Sequence, residues 1–257
     1  MFKKCALAIV GLAAVGGVRA QAALDLTTSG SSGFLAGGFF QQGDTQPAGT
    51  GVFNTFVQIQ ANGAQQTNEQ GYNTDFRPEQ FDEKTDAPHN HSLLLSSVPL
   101  VTINNVQYRE FLLDINEPKG QNQNFVSLDN LQVFQANLGN LTGYPTFGGL
   151  ANKIFDLSTS ETYIKLDAAL SHGSGQSDMI ADIPNSLFNQ NEAFVILYSQ
   201  FGVNIPIQGG FEEWGVGNPS VTSVPLPKAA SQGLIGFGLA SVVGAIGVAR
   251  RRRLANA

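Results

Sequence analysis

Leu100-Val101-Thr102-Ile103-Asn104-Asn105-Val106-Gln107-Tyr108-Arg109-Glu110-Phe111-Leu112-Leu113-Asp114-Ile115 decides the fold class. Two runs rich in branched and aromatic residues flank a pair of asparagines. Such side chains suit a pleated strand, and asparagine tolerates the positive φ that a two-residue hairpin turn demands. The stretch predicts antiparallel strands over 100–103 and 106–115. Working outward, residues 52–60, 125–135, 162–167 and 194–198 have the same character. In 162–167, Ile164 and Leu166 alternate with Tyr163, Lys165 and Asp167, the period of a half-buried strand. No long amphipathic helix interrupts the pattern, and residues 182–188 hold at best one helical turn. Many short strands with Gly- and Asn-rich turns predict an all-β fold, an antiparallel β-sandwich of jelly-roll or immunoglobulin-like kind. Residues 62–91 are dominated by Gln, Asn, Asp and Glu with little alternation, which predicts a long surface loop or an insertion in the sheet.

The two ends follow a different logic. Lys3 and Lys4 precede an apolar run from Cys5 to Val18, and Ala20-Gln21-Ala22 puts small residues where signal peptidase reads. This is the pattern of a secretory signal peptide, with cleavage expected after Ala22. At the other end, Val224-Pro225-Leu226-Pro227 precedes an uncharged run from Ala229 to Ala249, closed by Arg250-Arg251-Arg252-Arg253. The run reaches roughly 30 Å as a helix, enough to cross the hydrocarbon core of a bilayer. The arginines favour the cytoplasmic side, leaving the body of the chain on the opposite face.

This tail resembles the PEP-CTERM protein-sorting signal of Gram-negative bacteria, in its Val-Pro-Leu-Pro variety, which joins a proline motif, a membrane helix and an arginine cluster. Leu226 stands where the name-giving motif has Glu, and Lys228 where the variety usually has Ala. The resemblance implies export through the Sec translocon and signal peptidase, a transient inner-membrane anchor, and processing by an exosortase-type protease. It also implies a host that makes extracellular polysaccharide, with the mature protein at the cell surface or in a biofilm matrix. Residues 110–118, 126–131, 172–179 and 209–214 look like recurrent segments of exported β-rich members of this class, which brings no activity with it. The expected organisation is a signal peptide over 1–22, a β-sandwich over 23–214, a linker over 215–223 and the sorting signal over 224–257.

All 20 acidic residues fall in the body between Ala23 and Ser223, against six basic ones, so the body is near −14 while the whole chain is −6. Such a balance argues against nucleic acid and anionic lipid as partners. The single cysteine, Cys5, leaves with the signal, so no disulfide or thiolate metal site is expected.

The candidate chemistry is sparse. Ser174 lies between glycines near His172, but the spacing is not that of a nucleophile elbow, so a plain turn is the expected reading. His89 and His91 sit in the polar segment beside Asp82, Glu83 and Asp86, short of a supported zinc site. Asp114, Asn116 and Glu117 end a strand and Asp178 follows a glycine-serine loop. These four either supply oxygens to calcium or cap the strand and make turns. Tyr163 and Trp214 are the aromatic candidates for a polysaccharide-binding face, with burial as the competing fate. The expectation is a non-enzymatic surface or matrix protein without an obligate cofactor. A calcium-assisted carbohydrate-binding module is the alternative, and a polysaccharide-acting enzyme stands behind it.

Overall fold

The computed structural model describes residues 22–43, 53–61, 63, 66–118, 120, 123–160, 162–170 and 177–217. Fourteen strands follow in chain order: β1 (Ala22–Asp25), β2 (Ser32–Leu35), β3 (Gly38–Gln42), β4 (Phe53–Ile59), β5 (Glu69–Tyr72), β6 (Leu93–Leu94) and β7 (Leu100–Ile103), then β8 (Val106–Ile115), β9 (Phe125–Ala136), β10 (Ala151–Asp156), β11 (Thr162–Asp167), β12 (Met179–Pro184), β13 (Phe194–Phe201) and β14 (Glu212–Gly217). They form two seven-stranded sheets. One runs β1-β11-β9-β13-β5, with β10 also on β9 and β6 also on β13. The other runs β2-β3-β12-β8-β14-β4, with β7 also on β8. Only β1 on β11 is parallel among the described pairs. The described residues are almost entirely β, with two mainly antiparallel sheets sharing one core, as in a β-sandwich.

The hairpin of β7 and β8 forms as its asparagines predict. Ile103 pairs Val106, and Asn104 and Asn105 both take positive φ, 50° and 66°. β11 alternates buried and half-buried residues without a break. Ile164 and Leu166 meet Val126, Leu128, Val133, Val195 and Leu197 of their own sheet. Phe40, Phe56, Phe111, Leu113, Met179, Ala181 and Trp214 come from the other. Removal of this apolar surface from water drives the two sheets together.

Three expectations are refined. Of the two readings, the described part of residues 62–91 takes the insertion in the sheet. They contain β5, and residues 82–91 run along β4, where Gln58 N–H donates to the His89 carbonyl (2.7 Å) and His91 N–H to the Phe56 carbonyl (3.0 Å). Their polar side chains replace strand partners. Glu83 accepts from the Tyr72 and Phe81 amides, and Asn90 from the Thr74 amide. Arg77 donates to the carbonyls of Thr74, Phe76, Thr85 and Asn90 and pairs with Glu79. Second, the one helical turn allowed within residues 182–188 is the 3-10 turn Asn185–Leu187, and residues 182–184 complete β12. Third, β14 continues to Gly217, so residues 215–217, expected in the linker, belong to a sheet.

Candidate functional site

Carboxyl groups crowd the sheet that holds β12, β8 and β14. Phe111, Leu113 and Ile115 of β8 face the core, so Glu110, Leu112 and Asp114 lie on the opposite face. Register then places Asp182 directly opposite Glu110, and Glu213 directly opposite Asp114. Asp182 is 0 % exposed, and its one described contact is a long 3.4 Å hydrogen bond from the Gln41 amide to Oδ2. Burial, with the Glu110 carboxylate next, pushes Asp182 up to about 8. Burial also raises Glu110. Glu213 Oε1 accepts from the Thr55 hydroxyl at 2.6 Å.

The proposed calcium set separates. Asp178 Oδ2 accepts from the Ile115 amide at 2.8 Å, which brings Asp178 to the end of β8 that carries Asp114, and both are buried. Glu117 goes elsewhere. Its Oε2 accepts from the Gln208 amide at 2.8 Å, and burial pushes it up to about 7. Asn116 sits where its amide N–H donates to the Phe211 carbonyl. Gly210 closes on the same point, since a Cβ there would stand 2.0 Å from the Asn116 carbonyl oxygen. Among the described residues, no three His, Cys, Asp or Glu gather as a metal site would need. His89 is bonded instead to Asp86, and His91 to the Ala87 carbonyl.

The aromatic candidates also part. Trp214 is 0 % exposed inside the core, and its indole Nε1 donates to Ser199 Oγ at 3.0 Å, so no ring face is open to a sugar. The reading of Trp214 as a binding residue is corrected on that ground. Tyr163 is half-buried on β11, opposite Ala23 of β1. Tyr72, Tyr144 and Tyr198 pack in a second apolar cluster with Phe134 and Phe147, with the rings of Tyr144 and Tyr198 stacked 4.0 Å apart. Ala20, His172, Ser174, Val224 to Pro227 and Arg250 to Arg253 lie outside the described residues, as does the expected membrane segment. No helix among the described residues is long and apolar enough to cross a membrane.

Sequence reasoning missed a strongly perturbed acid in the core. Glu212 lies on the core side of β14, between Ile59 of β4 and Ile115 of β8. It is 0 % exposed, both its oxygens lack a hydrogen-bond partner, and burial alone pushes it up to about 8. The signal available was the alternation Glu212, Trp214, Val216, hidden by the charge of its first member.

Chemically, burial pushes two carboxyls of this sheet, Asp182 and Glu212, up to about 8, so these two hold protons at neutral pH. Directly opposed carboxyls such as Glu110 and Asp182, with Cβ atoms about 5 Å apart, invite comparison with a retaining glycosidase pair. A sugar would have to touch Asp182, whose enclosure leaves it no contact surface. No protein-family model, curated protein or solved structure matches this chain.

Proposed function

We propose that the chain is an exported, exosortase-sorted protein of the cell surface or extracellular matrix, acting by adhesion or scaffolding in an exopolysaccharide biofilm rather than by catalysis. The observation that carries this reading is the order of Val224-Pro225-Leu226-Pro227, an uncharged run of membrane length and four arginines, opposite an N-terminal secretory signal. The body is read as a jelly-roll- or immunoglobulin-like sandwich and residues 229–249 as a transmembrane helix held until processing. An acidic, cysteine-free, all-β body supports the reading, because it folds without redox chemistry in any exported compartment.

The test is Pro225→Ala with Pro227→Ala. The variant should accumulate uncleaved in the inner membrane, while the parent loses its tail. Arrival of the variant at the surface at the parent's mature size would overturn the sorting reading. A second reading is a calcium-assisted carbohydrate-binding module, favoured by the approach of Asp178 to the end of β8 beside Asp114. Titration with the host exopolysaccharide, with and without calcium, separates the two. Saturable calcium-dependent binding selects the module, and release of reducing ends or unsaturated sugars would sink both.

A further inference from the structure

Three of the sheet edges are guarded. β4 is bonded along residues 82–91. β5 is closed by Asp82, which accepts from the Gln70 amide and donates its own N–H to the Gln70 carbonyl. β1 carries Asp25 at its end. β2 differs. It pairs only β3, through a hairpin closed by Leu35 and Gly38 around Ala36 and Gly37, both at positive φ. In a two-residue hairpin the closing pair is hydrogen-bonded and the pairs alternate from there, so Ser32 and Phe34 turn their N–H and C=O outward. Among the described residues nothing bonds those groups, and both residues are exposed, Phe34 at 65 %.

The surroundings of this edge are apolar and neutral. No charged residue occurs from Leu26 to Gly43. The Phe34 ring lies 4.8 Å from that of Phe39, which clusters with Val101 and Tyr108 on the sheet's outer face. On the core side the edge is filled, because a Cβ on Gly33 would stand 2.5 Å from Leu24 Cδ1. β7 is also free of charge, but its hairpin partner brings Arg109 against it. Neutral open edges are what soluble β-proteins normally avoid, with charges, prolines or covering segments.

We propose that β2 is a self-association edge, on which a second copy of this chain adds its own β2 antiparallel and extends the sheet across a two-fold axis. Centred on Gly33, the pairing sets Ser32 of each copy against Phe34 of the other and forms about four main-chain hydrogen bonds. A second copy is the fitting occupant on two grounds. The body is near −14, so two copies repel nearly everywhere else, and this is the stretch along which they meet without like charges. The edge offers main-chain groups rather than charged side chains for recognition. Its one distinguishing contact is Phe34 beside the Phe39 face, which an identical strand supplies symmetrically. A four-residue pair is smaller than a stable dimer interface, so the association is weak and gains from crowding or multivalency. The pairing rests on the edge alone and stands whether or not the sorting reading does.

The test is sedimentation velocity of the full chain in detergent over a concentration series. Phe34→Lys, Ser32→Pro and the exposed β7 control Thr102→Lys are run beside it. All carry the same tail, so association through the tail is a constant background. The parent and Thr102→Lys should move toward twice the monomer mass with concentration. Phe34→Lys and Ser32→Pro should associate about tenfold more weakly or less, with unchanged circular dichroism. Should either variant fail to fold, amide exchange at Ser32 and Phe34 in the parent decides, slowing as concentration rises. A parent still monomeric at about 1 mM, self-association indifferent to both edge variants, or concentration-independent exchange at these amides overturns the proposal.

Discussion

Glu212→Gln tests the buried acid. Glu212 sits between Ile59 and Ile115 with neither oxygen partnered, and the folded protein holds its proton until about pH 8, against 4.5 when solvated. The folded state therefore binds more protons than the unfolded one between those values. Stability from this group is complete below pH 4.5, falls as pH rises, and levels off above about 8. Integrated over that window, the loss is on the order of 5 kcal/mol, a large share of a domain's total of about 5–15 kcal/mol. With a urea m-value of about 2–3 kcal/mol/M, the midpoint should drop by about 2 M between pH 4.5 and 8.5 through this residue alone. Glutamine keeps the shape and stays neutral. At pH 4.5 the variant should match the parent to within about 1–3 kcal/mol, and at pH 8.5 it should be the more stable of the two. Asp182 and Glu117 lose stability in the same direction, but they remain in both proteins, so the difference between the two curves isolates Glu212. Parallel curves from pH 4.5 to 8.5 would refute the reasoning.

Trp214→Phe leaves Ser199 Oγ without the indole donor in the core and should cost about 2 kcal/mol, read by urea unfolding at fixed pH. Arg77→Ala strips a guanidinium that donates to four carbonyls and should cost about 3 kcal/mol. Hydrogen exchange should accelerate first at Gln58 and His91, where residues 82–91 lie on β4. Asn105→Val puts a branched side chain at φ 66° and should cost about 1–2 kcal/mol, whereas Asn105→Gly should be neutral or slightly stabilising in the same thermal melts.

Where one face of a strand meets core and the other meets water, the sequence spoke plainly. β11 and the hairpin of β7 and β8 are of that kind, and their limits match residue for residue. Strands carrying neither alternation nor bulk were silent. β2 and β3 lie in a glycine- and serine-rich run, and β5 reads Glu-Gln-Gly-Tyr, where Glu69 is buried and bonds the Ala61 amide. Polarity there reflects side chains standing in for absent strand partners, which composition cannot distinguish from solvation. The candidate site was half legible. Asp178 does reach the end of β8 that bears Asp114, but Glu117 turns to Gln208. The pairing of Glu110 with Asp182 needs a register between strands separated by more than sixty positions. No local pattern encodes that.

The placement of β14 sets a timetable. It is the last strand among the described residues, yet it lies inside its sheet, between β8 and β4. As the chain emerges from its N-terminus, β4 and β8 must wait on either side of a gap, and Ile59 and Ile115 lack the strand that lies between them until Glu212 to Gly217 arrive. Trp214, the largest side chain of the core, comes with that final piece. The strand order thus makes closure of this sheet depend on contacts across more than a hundred positions of sequence, a long-range step of the kind that slows folding.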